Sequence, residues 1–293
     1  MTFYDYLGYT KADLEHMVAN KARFYISYNI LKRNGKKRRI DAPQNPLKQV
    51  QSDILYRILY LFKPHPIAHG FVKDKSPRSN AAVHVGRKFI MTVDIKDFFN
   101  SINEFRVEHT LAWLFKKQSK FTYDPADVAL CASLLCYNSG LPQGSPASPV
   151  MSNLVCIPLD KSLTSLRGTD LLVTRYADDI TVSSNTDDLT KQLGHIYGFI
   201  RHVGLVANFK KTRLKKYFQR QQVTGIVVNK QLGAKKEMWR NLRARLHNLN
   251  RDKKSITTEE AQQIRGYIEW IKSLNPHRGN QLIKQFSTIN VVP

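Results

Sequence analysis

The segment Thr174–Ser183, TRYADDITVS, constrains the fold more than any other part of the chain. Leu171, Leu172 and Val173 lead into it, and Ile180 and Val182 follow the acids. It reads as strand, break, strand, with Asp178 and Asp179 at the break. Neighbouring side chains on a strand point to opposite faces, so these carboxylates converge only if the chain turns between them. Like charges that close repel and need compensation. A surface turn would also accept them, since Asp favours turns. A second segment shifts the balance. In KFIMTVDIKDFFNSI, Phe89 to Val93 reads as a buried strand that ends in Asp94. An acid at the end of an apolar strand is costly unless it is paired or bound to a metal. The strand and the hairpin could pair side by side in one antiparallel sheet and bring three acids together. Three hard oxygen ligands suit Mg²⁺, with Mn²⁺ as the alternative. Two such ions could activate an attacking oxygen and stabilise a leaving one in phosphoryl transfer.

The charge balance fits that chemistry. The 293 residues include 46 Lys and Arg against 23 Asp and Glu, a formal net charge of +23. The excess is spread along the chain, which suggests a polyanionic partner, most simply nucleic acid. Cations would sit on the acids while the basic surround holds the polyanion. A membrane surface is the rival partner. There is no long basic amphipathic anchor, no apolar run long enough to span a bilayer and no signal peptide, so no membrane role is expected. Cys131, Cys136 and Cys156 are odd in number and lack metal-like spacing, which points to reduced core thiols in a cytoplasmic protein. With 42% hydrophobic residues, the chain can form one large domain or two or three subdomains.

Along the chain, residues 13–22 look helical. YISYNILKRNGKKRRIDAP then places alternating apolar residues around Asn34-Gly35, a two-residue hairpin signal. Lys32, Arg33, Lys36, Lys37, Arg38 and Arg39 make it either a solvated edge or a phosphate-facing finger, and the charge density favours the finger. Ile54, Leu55, Ile58, Leu59 and Phe62 follow at helical spacing. A long helical stretch is expected up to about Tyr137. The turn-rich SGLPQGSPASPVMSNLV leads into a helix from Ser148 or Pro149. Residues 186–203 look helical, GLVANFKKT reads as a short strand, and QQVTGIVVN as another. The last stretch is helical. Met238, Leu242, Leu246 and Leu249 form a stripe opposite Lys235, Lys236, Arg240 and Arg243. Thr257 and Glu260 form a capping box ahead of Ile264, Tyr267, Ile268 and Ile271.

Tyr176-Ala177-Asp178-Asp179 resembles the YxDD box of reverse transcriptases. VDIKDFFNSI resembles their preceding aspartate motif, and LPQGSPASP the loop–helix motif between the two. The resemblance covers roughly Tyr28 to Val228, with order and spacing in agreement. Asn80-Ala81-Ala82-Val83-His84 fits the NAxxH pattern of the retron branch, and Val223-Thr224-Gly225 fits its VTG triplet.

The resemblance implies an α+β, right-hand polymerase. Residues 1–90 would form N-terminal helices and fingers, 91–228 the palm with an insertion at 105–140, and 229–293 a small helical RNA-binding thumb. Asp94, Asp178 and Asp179 would hold two metal ions, with the Ile95 carbonyl as an extra ligand. Phe99 would lie under the incoming sugar and exclude a 2′-hydroxyl, while Phe98 points the other way into the core. Gln143 and Gly144 would contact nucleotide and template. Lys37 and Arg39 would neutralise the triphosphate, though which basic residue of the run reaches it stays open. Lys211, or Lys210 in its place, would approach the leaving pyrophosphate. Asn80, His84, Val223, Thr224, Gly225, Arg240 and Arg243 would serve recognition of the cognate RNA, with His84 contacting either RNA or the fold around the fingers. Trp239, Tyr217 and Phe218 could stack on bases, although Trp239 suits the core equally well.

The branch implies copying of a structured noncoding RNA, from dNTPs, into single-stranded DNA joined to a 2′-hydroxyl of a guanosine in the same RNA. It further implies a separate effector protein and a part in antiphage defence. No stretch resembles an RNase H domain, an integrase or an endonuclease, which sets the expectation against a retroviral enzyme or a nuclease-bearing intron protein. The alternatives are a group II intron-like or diversity-generating reverse transcriptase, an RNA-copying polymerase (against which Phe99 argues), and an inactive RNA-binding scaffold (against which the three intact acids argue).

Overall fold

The computed structural model describes residues 1–31, 35, 37–166, 170–186 and 188–292. Asn34 of the expected hairpin tip lies outside the described residues, as do Lys32, Arg33 and Lys36 of the basic run.

The chain opens with two short helices, α1 (Phe3–Leu7) and α2 (Lys11–Ala19). Thr2 and Thr10 cap them by accepting from backbone N–H groups three residues on. The second helix ends before the expected residue 22, because the chain tightens into a 3₁₀ turn at Lys21–Phe24. Strands β1 (Tyr25–Leu31) and β2 (Lys37–Pro43) then form an antiparallel ribbon. Helix α3 (Leu47–Arg57) buries Leu47, Val50, Ile54 and Leu55. Helix α4 (Pro77–Ala82) follows, with a Ser76 capping box and Pro77 in its first turn.

The centre is a four-stranded sheet. Its members are β3 (Phe89–Asp94), β4 (Leu172–Tyr176), β5 (Asp179–Ser184) and β6 (Arg213–Lys216), in the order β4-β5-β3-β6. Every pairing is antiparallel. Helix α5 (Phe98–Ser101) follows β3 directly. The long helix expected beyond it is two, α6 (Glu104–Phe115) and α7 (Pro125–Leu135). The break has a local cause: Asp124 forms a capping box with Asp127, and Pro125 sits in the first turn, so a new helix starts there. Helices α8 (Ser148–Val155) and α9 (Ile157–Thr164) precede the β4–β5 hairpin, and α10 (Thr190–His202) follows it.

Two expected strands differ. Within GLVANFKKT only Ala207 bridges to Ile95, and Phe209–Lys211 is a 3₁₀ turn. QQVTGIVVN is a tight hairpin of β7 (Gln222–Val223) and β8 (Ile226–Val227). Thr224 (φ 47°) and Gly225 (φ 80°) both occupy the left-handed region that a two-residue hairpin of this type requires.

The C-terminal helices are α11 (Lys236–Arg251), α12 (Thr258–Leu274) and α13 (Pro276–Phe286). The expected Thr257–Glu260 capping box is present. Leu242, Leu246, Ile264, Ile268, Ile271 and Leu282 form a core of their own. Tyr267 is not part of it; its ring is exposed. A main core joins the N-terminal helices, the sheet and α6–α10. A third small cluster, including Ala81, Ile90, Val223, Ile226 and Leu274, sits where α4, β3, the β7–β8 hairpin and α12 meet. The three cysteines are buried free thiols. Among the described residues, no helix is long and apolar enough to cross a membrane.

Candidate active site

The sheet register brings the acids to one corner. Asp94, last in β3, is directly opposite Asp179, first in β5. Ala177 and Asp178 form the turn between β4 and β5, with Ala177 in the left-handed region at φ 55°. Ile95 donates its N–H to the Asp178 carbonyl at 2.9 Å, so the backbone after Asp94 is bonded to the turn. This is the mechanism of convergence that alternation within one strand could not provide.

The Asp94 carboxylate is buried and fully engaged. Lys211 Nζ lies 2.8 Å from Oδ2, and Asn208 Nδ2 donates to Oδ1 at 2.9 Å. Asn208 also donates its backbone N–H to the Asp94 carbonyl at 2.7 Å. Of the two candidate lysines, Lys211 is thus the one that meets the acids. Asp94 raises the Lys211 pKa mainly through this hydrogen bond. Burial pushes the Asp178 pKa up, and the Asp94 charge adds to it. Asp179 is pushed up to about 6 by burial, then by Asp178 and Asp94, with Lys211 opposing. Asp179 nonetheless keeps exposed surface. Solvent at that surface screens its charge.

Among the described residues, no three His, Cys, Asp or Glu side chains stand together as a finished metal cage. The donor set still fits a divalent cation. Three carboxylates of raised mutual repulsion meet at one corner, and an ammonium lies against one of them. A hard cation would relieve the repulsion that burial intensifies.

Around the acids, Phe98 is buried in the main core and Phe99 is partly buried against it. Phe99 packs on Phe98 at 5.5 Å and on Phe71 at 6.0 Å between ring centroids. Gln143 and Gly144 are laced to the ribbon: Asp41 donates its N–H to the Gln143 carbonyl at 3.0 Å. Gly144 has φ 140°, and a Cβ there would meet the Asp41 carbonyl oxygen at 2.8 Å, so only glycine fits. On β2, Arg39 is held by Asp41 (2.8 Å) and lies 3.2 Å from the Ser27 hydroxyl. Lys37 is exposed. Alternation turns Arg38 to the other face, and its charge, after that of Lys211, opposes the rise at Asp178. Arg38, Asn208 and Phe71 are the site residues that motif reasoning did not single out. The basic run and ANFKKT were the available signals for the first two, while Phe71 carried none.

The expected RNA-contact residues divide sharply. Asn80, His84 and Val223 are 0% exposed and offer no surface to a nucleic acid. His84 Nδ1 lies 2.7 Å from the Ser183 hydroxyl and Nε2 2.8 Å from the Thr174 hydroxyl, joining α4 to β5 and β4. Both ring nitrogens are engaged by the central sheet, which is neither RNA nor the fold around the fingers. Thr224 Oγ1 donates to the Pro77 carbonyl at 3.0 Å, three residues ahead of Asn80, and Ala81 and Val223 share one small buried cluster, which brings the two branch motifs together. Gly225 at the hairpin tip is exposed, as are Arg240 and Arg243 on α11. Trp239 is partly buried, its ring covered by the guanidiniums of Arg243 (4.7 Å) and Arg278 (5.0 Å). Tyr217 and Phe218 are exposed.

Comparison with known proteins agrees with this geometry. The family described as Reverse transcriptase (RNA-dependent DNA polymerase) matches residues 30–228. The Retron Ec86 reverse transcriptase of Escherichia coli is 32% identical over 273 residues, 90% of this chain and 81% of that protein. The Retron Mx162 reverse transcriptase of Myxococcus xanthus is 31% identical over 94% of this chain and 62% of its own length. Among solved structures, apo telomerase from Candida tropicalis aligns with a TM-score of 0.56 at 11% identity, covering 96% of this chain and 64% of that one. That likeness shows a shared right-hand polymerase fold.

Proposed function

This chain belongs to the reverse transcriptase family, as an RNA-directed DNA polymerase of the retron branch, and we propose that it copies part of a structured noncoding RNA into single-stranded DNA at Asp94, Asp178 and Asp179. The observation that carries the reading is the β3–β5 register, which sets Asp94 opposite Asp179 with Asp178 at the adjoining turn. The reverse transcriptase domain implies divalent metal use. We assign Mg²⁺, two ions, to the three carboxylates and the Ile95 carbonyl. When bound, the ions would activate the primer hydroxyl and neutralise charge on the reacting phosphates.

The chain's own groups do the rest. Phe99, backed by Phe71, fills the space that a ribose 2′-hydroxyl would need. Arg38, with Lys37, carries positive charge from the ribbon toward the triphosphate, while Arg39 stiffens the ribbon through Asp41. Gln143 and Gly144 hold the template side of the nucleotide. Lys211, 2.8 Å from Asp94, would donate toward the leaving pyrophosphate. Residues 1–90, 91–228 and 229–293 act as fingers, palm and thumb, with Arg240 and Arg243 on phosphates of the RNA. Asn80, His84 and the Val223-Thr224 pair shape the platform behind that contact. Priming from a guanosine 2′-hydroxyl, a separate effector protein and a part in antiphage defence belong to this reading through the retron relatives.

The deciding experiment co-expresses the protein with its flanking noncoding sequence and runs the copurifying nucleic acid on a denaturing gel. A discrete single-stranded DNA that shifts on RNase treatment and again on debranching is the expected result. RNA without DNA, from a protein whose Asp178→Asn/Asp179→Asn variant retains full biological activity, would make the chain a scaffold instead.

A further inference from the structure

Arg175 directly precedes the turn that carries Asp178 and Asp179, and no role above uses it. Its side chain is fully buried, 0% exposed. Nε and Nη2 donate to the two carboxylate oxygens of Asp160 on α9 at 2.6 and 2.7 Å. Nη1 donates to Asn153 Oδ1 on α8 and to the Ala177 carbonyl, both at 3.1 Å. Asn153 Nδ2 donates in turn to the Gly70 carbonyl at 2.8 Å.

Two features argue for more than stability. A buried ion pair can often be replaced by apolar side chains without loss of stability, but apolar groups cannot donate a directed hydrogen bond to Ala177 O. Ala177 needs such a constraint, because a non-glycine residue persists in the left-handed region only where its surroundings over-determine it. The Gly70 loop adds to the clamp. A Cβ on Gly70 would fall 2.6 Å from the Ala177 nitrogen, so the loop lies flat against the turn. The next residue is Phe71, the ring that backs Phe99.

We propose that Arg175, Asp160 and Asn153 form a positioning network that fixes the Ala177 turn, so that Asp178 and Asp179 face Asp94, and that ties the Phe71–Phe99 pair to the same turn through Gly70. The inference rests on the assignment of those three acids. It predicts two separable effects, one on the acids and one on the sugar gate.

The test uses full-length protein on a generic RNA template and DNA primer. Arg175→Met/Asp160→Leu replaces the ion pair with apolar side chains. A cooperative melt, a kcat lowered roughly 10- to 100-fold, a dNTP KM little changed and Mn²⁺ binding weakened to a similar degree by electron paramagnetic resonance are expected. Wild-type kcat and Mn²⁺ affinity in the folded variant would overturn the proposal. Asn153→Ser removes the link to Gly70 and covers the case in which the double variant does not fold. It should raise the dNTP KM and ribonucleotide incorporation and, through the lost acceptor for Arg175, weaken Mn²⁺ binding by less than the double variant; unchanged KM and ribonucleotide incorporation would sink the gate half, and unchanged Mn²⁺ binding the acid half. Asp178→Asn/Asp179→Asn is the control. DNA synthesis by that control would mean the acids were misassigned. A silent control beside a wild-type-like Arg175→Met/Asp160→Leu would mean that only the network fails.

Discussion

Lys211 Nζ lies 2.8 Å from Asp94 Oδ2, so a cationic side chain rests on the acid that a metal ion would share. The lysine is 62% exposed and the aspartate 10%, so the contact is worth at most about 1 kcal/mol after solvent screening. It therefore competes weakly with a divalent ion. Lys211→Met should lower the half-saturating Mg²⁺ concentration by up to roughly 5-fold. It should also lower kcat, because the donor to the leaving pyrophosphate is gone. A Mg²⁺ titration of single-nucleotide incorporation reads both, and a raised half-saturation would show that Lys211 helps to hold the metal instead.

Asp179 gives a stability prediction with a definite sign. Its folded pKa is raised to about 6, above the ordinary carboxylate value, so the fold binds protons more tightly than the unfolded chain. Its contribution is present below about pH 4 and is lost as pH rises through about 6. At pH 7.5 in chelator, Asp179→Asn should melt above wild type by about 2–3 °C. That corresponds to on the order of 1 kcal/mol once exposure is discounted. The gap should close near pH 4. Added Mg²⁺ should raise the wild-type melting temperature more than the variant's.

His84 has the opposite slope. Burial, then the charges of His69 and Arg87, lower its pKa to about 3, so it is neutral in the fold while the unfolded chain takes up a proton below about 6.5. Stability from this site is present above pH 6.5 and is lost as pH falls toward 3. His69, lowered to about 4 by burial, acts in the same direction. His84→Gln should flatten the pH dependence of thermal unfolding between about pH 3 and 6.5. It should leave RNA affinity of the folded protein unchanged. Weaker RNA binding with an unaltered melt would restore a direct contact.

Phe99→Val should raise the ratio of ribonucleotide to deoxyribonucleotide kcat/KM by about 10- to 100-fold, the range that removal of a few methylene-sized contacts supports. Single-turnover incorporation with matched rNTP and dNTP pairs reads it. Unchanged discrimination would remove Phe99 from the gate and leave it a core ring beside Phe98.

The palm strands were legible because buried strands announce themselves as apolar runs, and β3 and β5 fall where FIMTV and ITV stand. The capping box at Thr257 was legible for a local reason too, since its partners are three residues apart. The failures were also local in origin. QQVTGIVVN is apolar enough to read as one strand, yet the left-handed pair Thr224-Gly225 folds it back. The helix expected through to Tyr137 stops at Phe115 and restarts at Asp124-Pro125, a capping signal outweighed by the apolar periodicity on either side.

The sequence by itself determined the chemistry: three acids on two strand ends in a strongly basic chain, and motifs whose order identifies a polymerase. Only the tertiary structure decided which partners those groups meet. Arg39 is taken up by the Asp41 carboxylate at 2.8 Å, while alternation along β2 turns Arg38 to the other face of the ribbon. His84 is withdrawn from RNA because two hydroxyls some ninety residues away, on Thr174 and Ser183, receive its ring. Arg175 reads as an ordinary basic residue until Asp160, Asn153 and Ala177 close around it. Residue type and spacing are local properties of a chain. Burial, charge pairing and hydrogen-bond direction depend on contacts between segments far apart in sequence, and those exist only once the fold has closed.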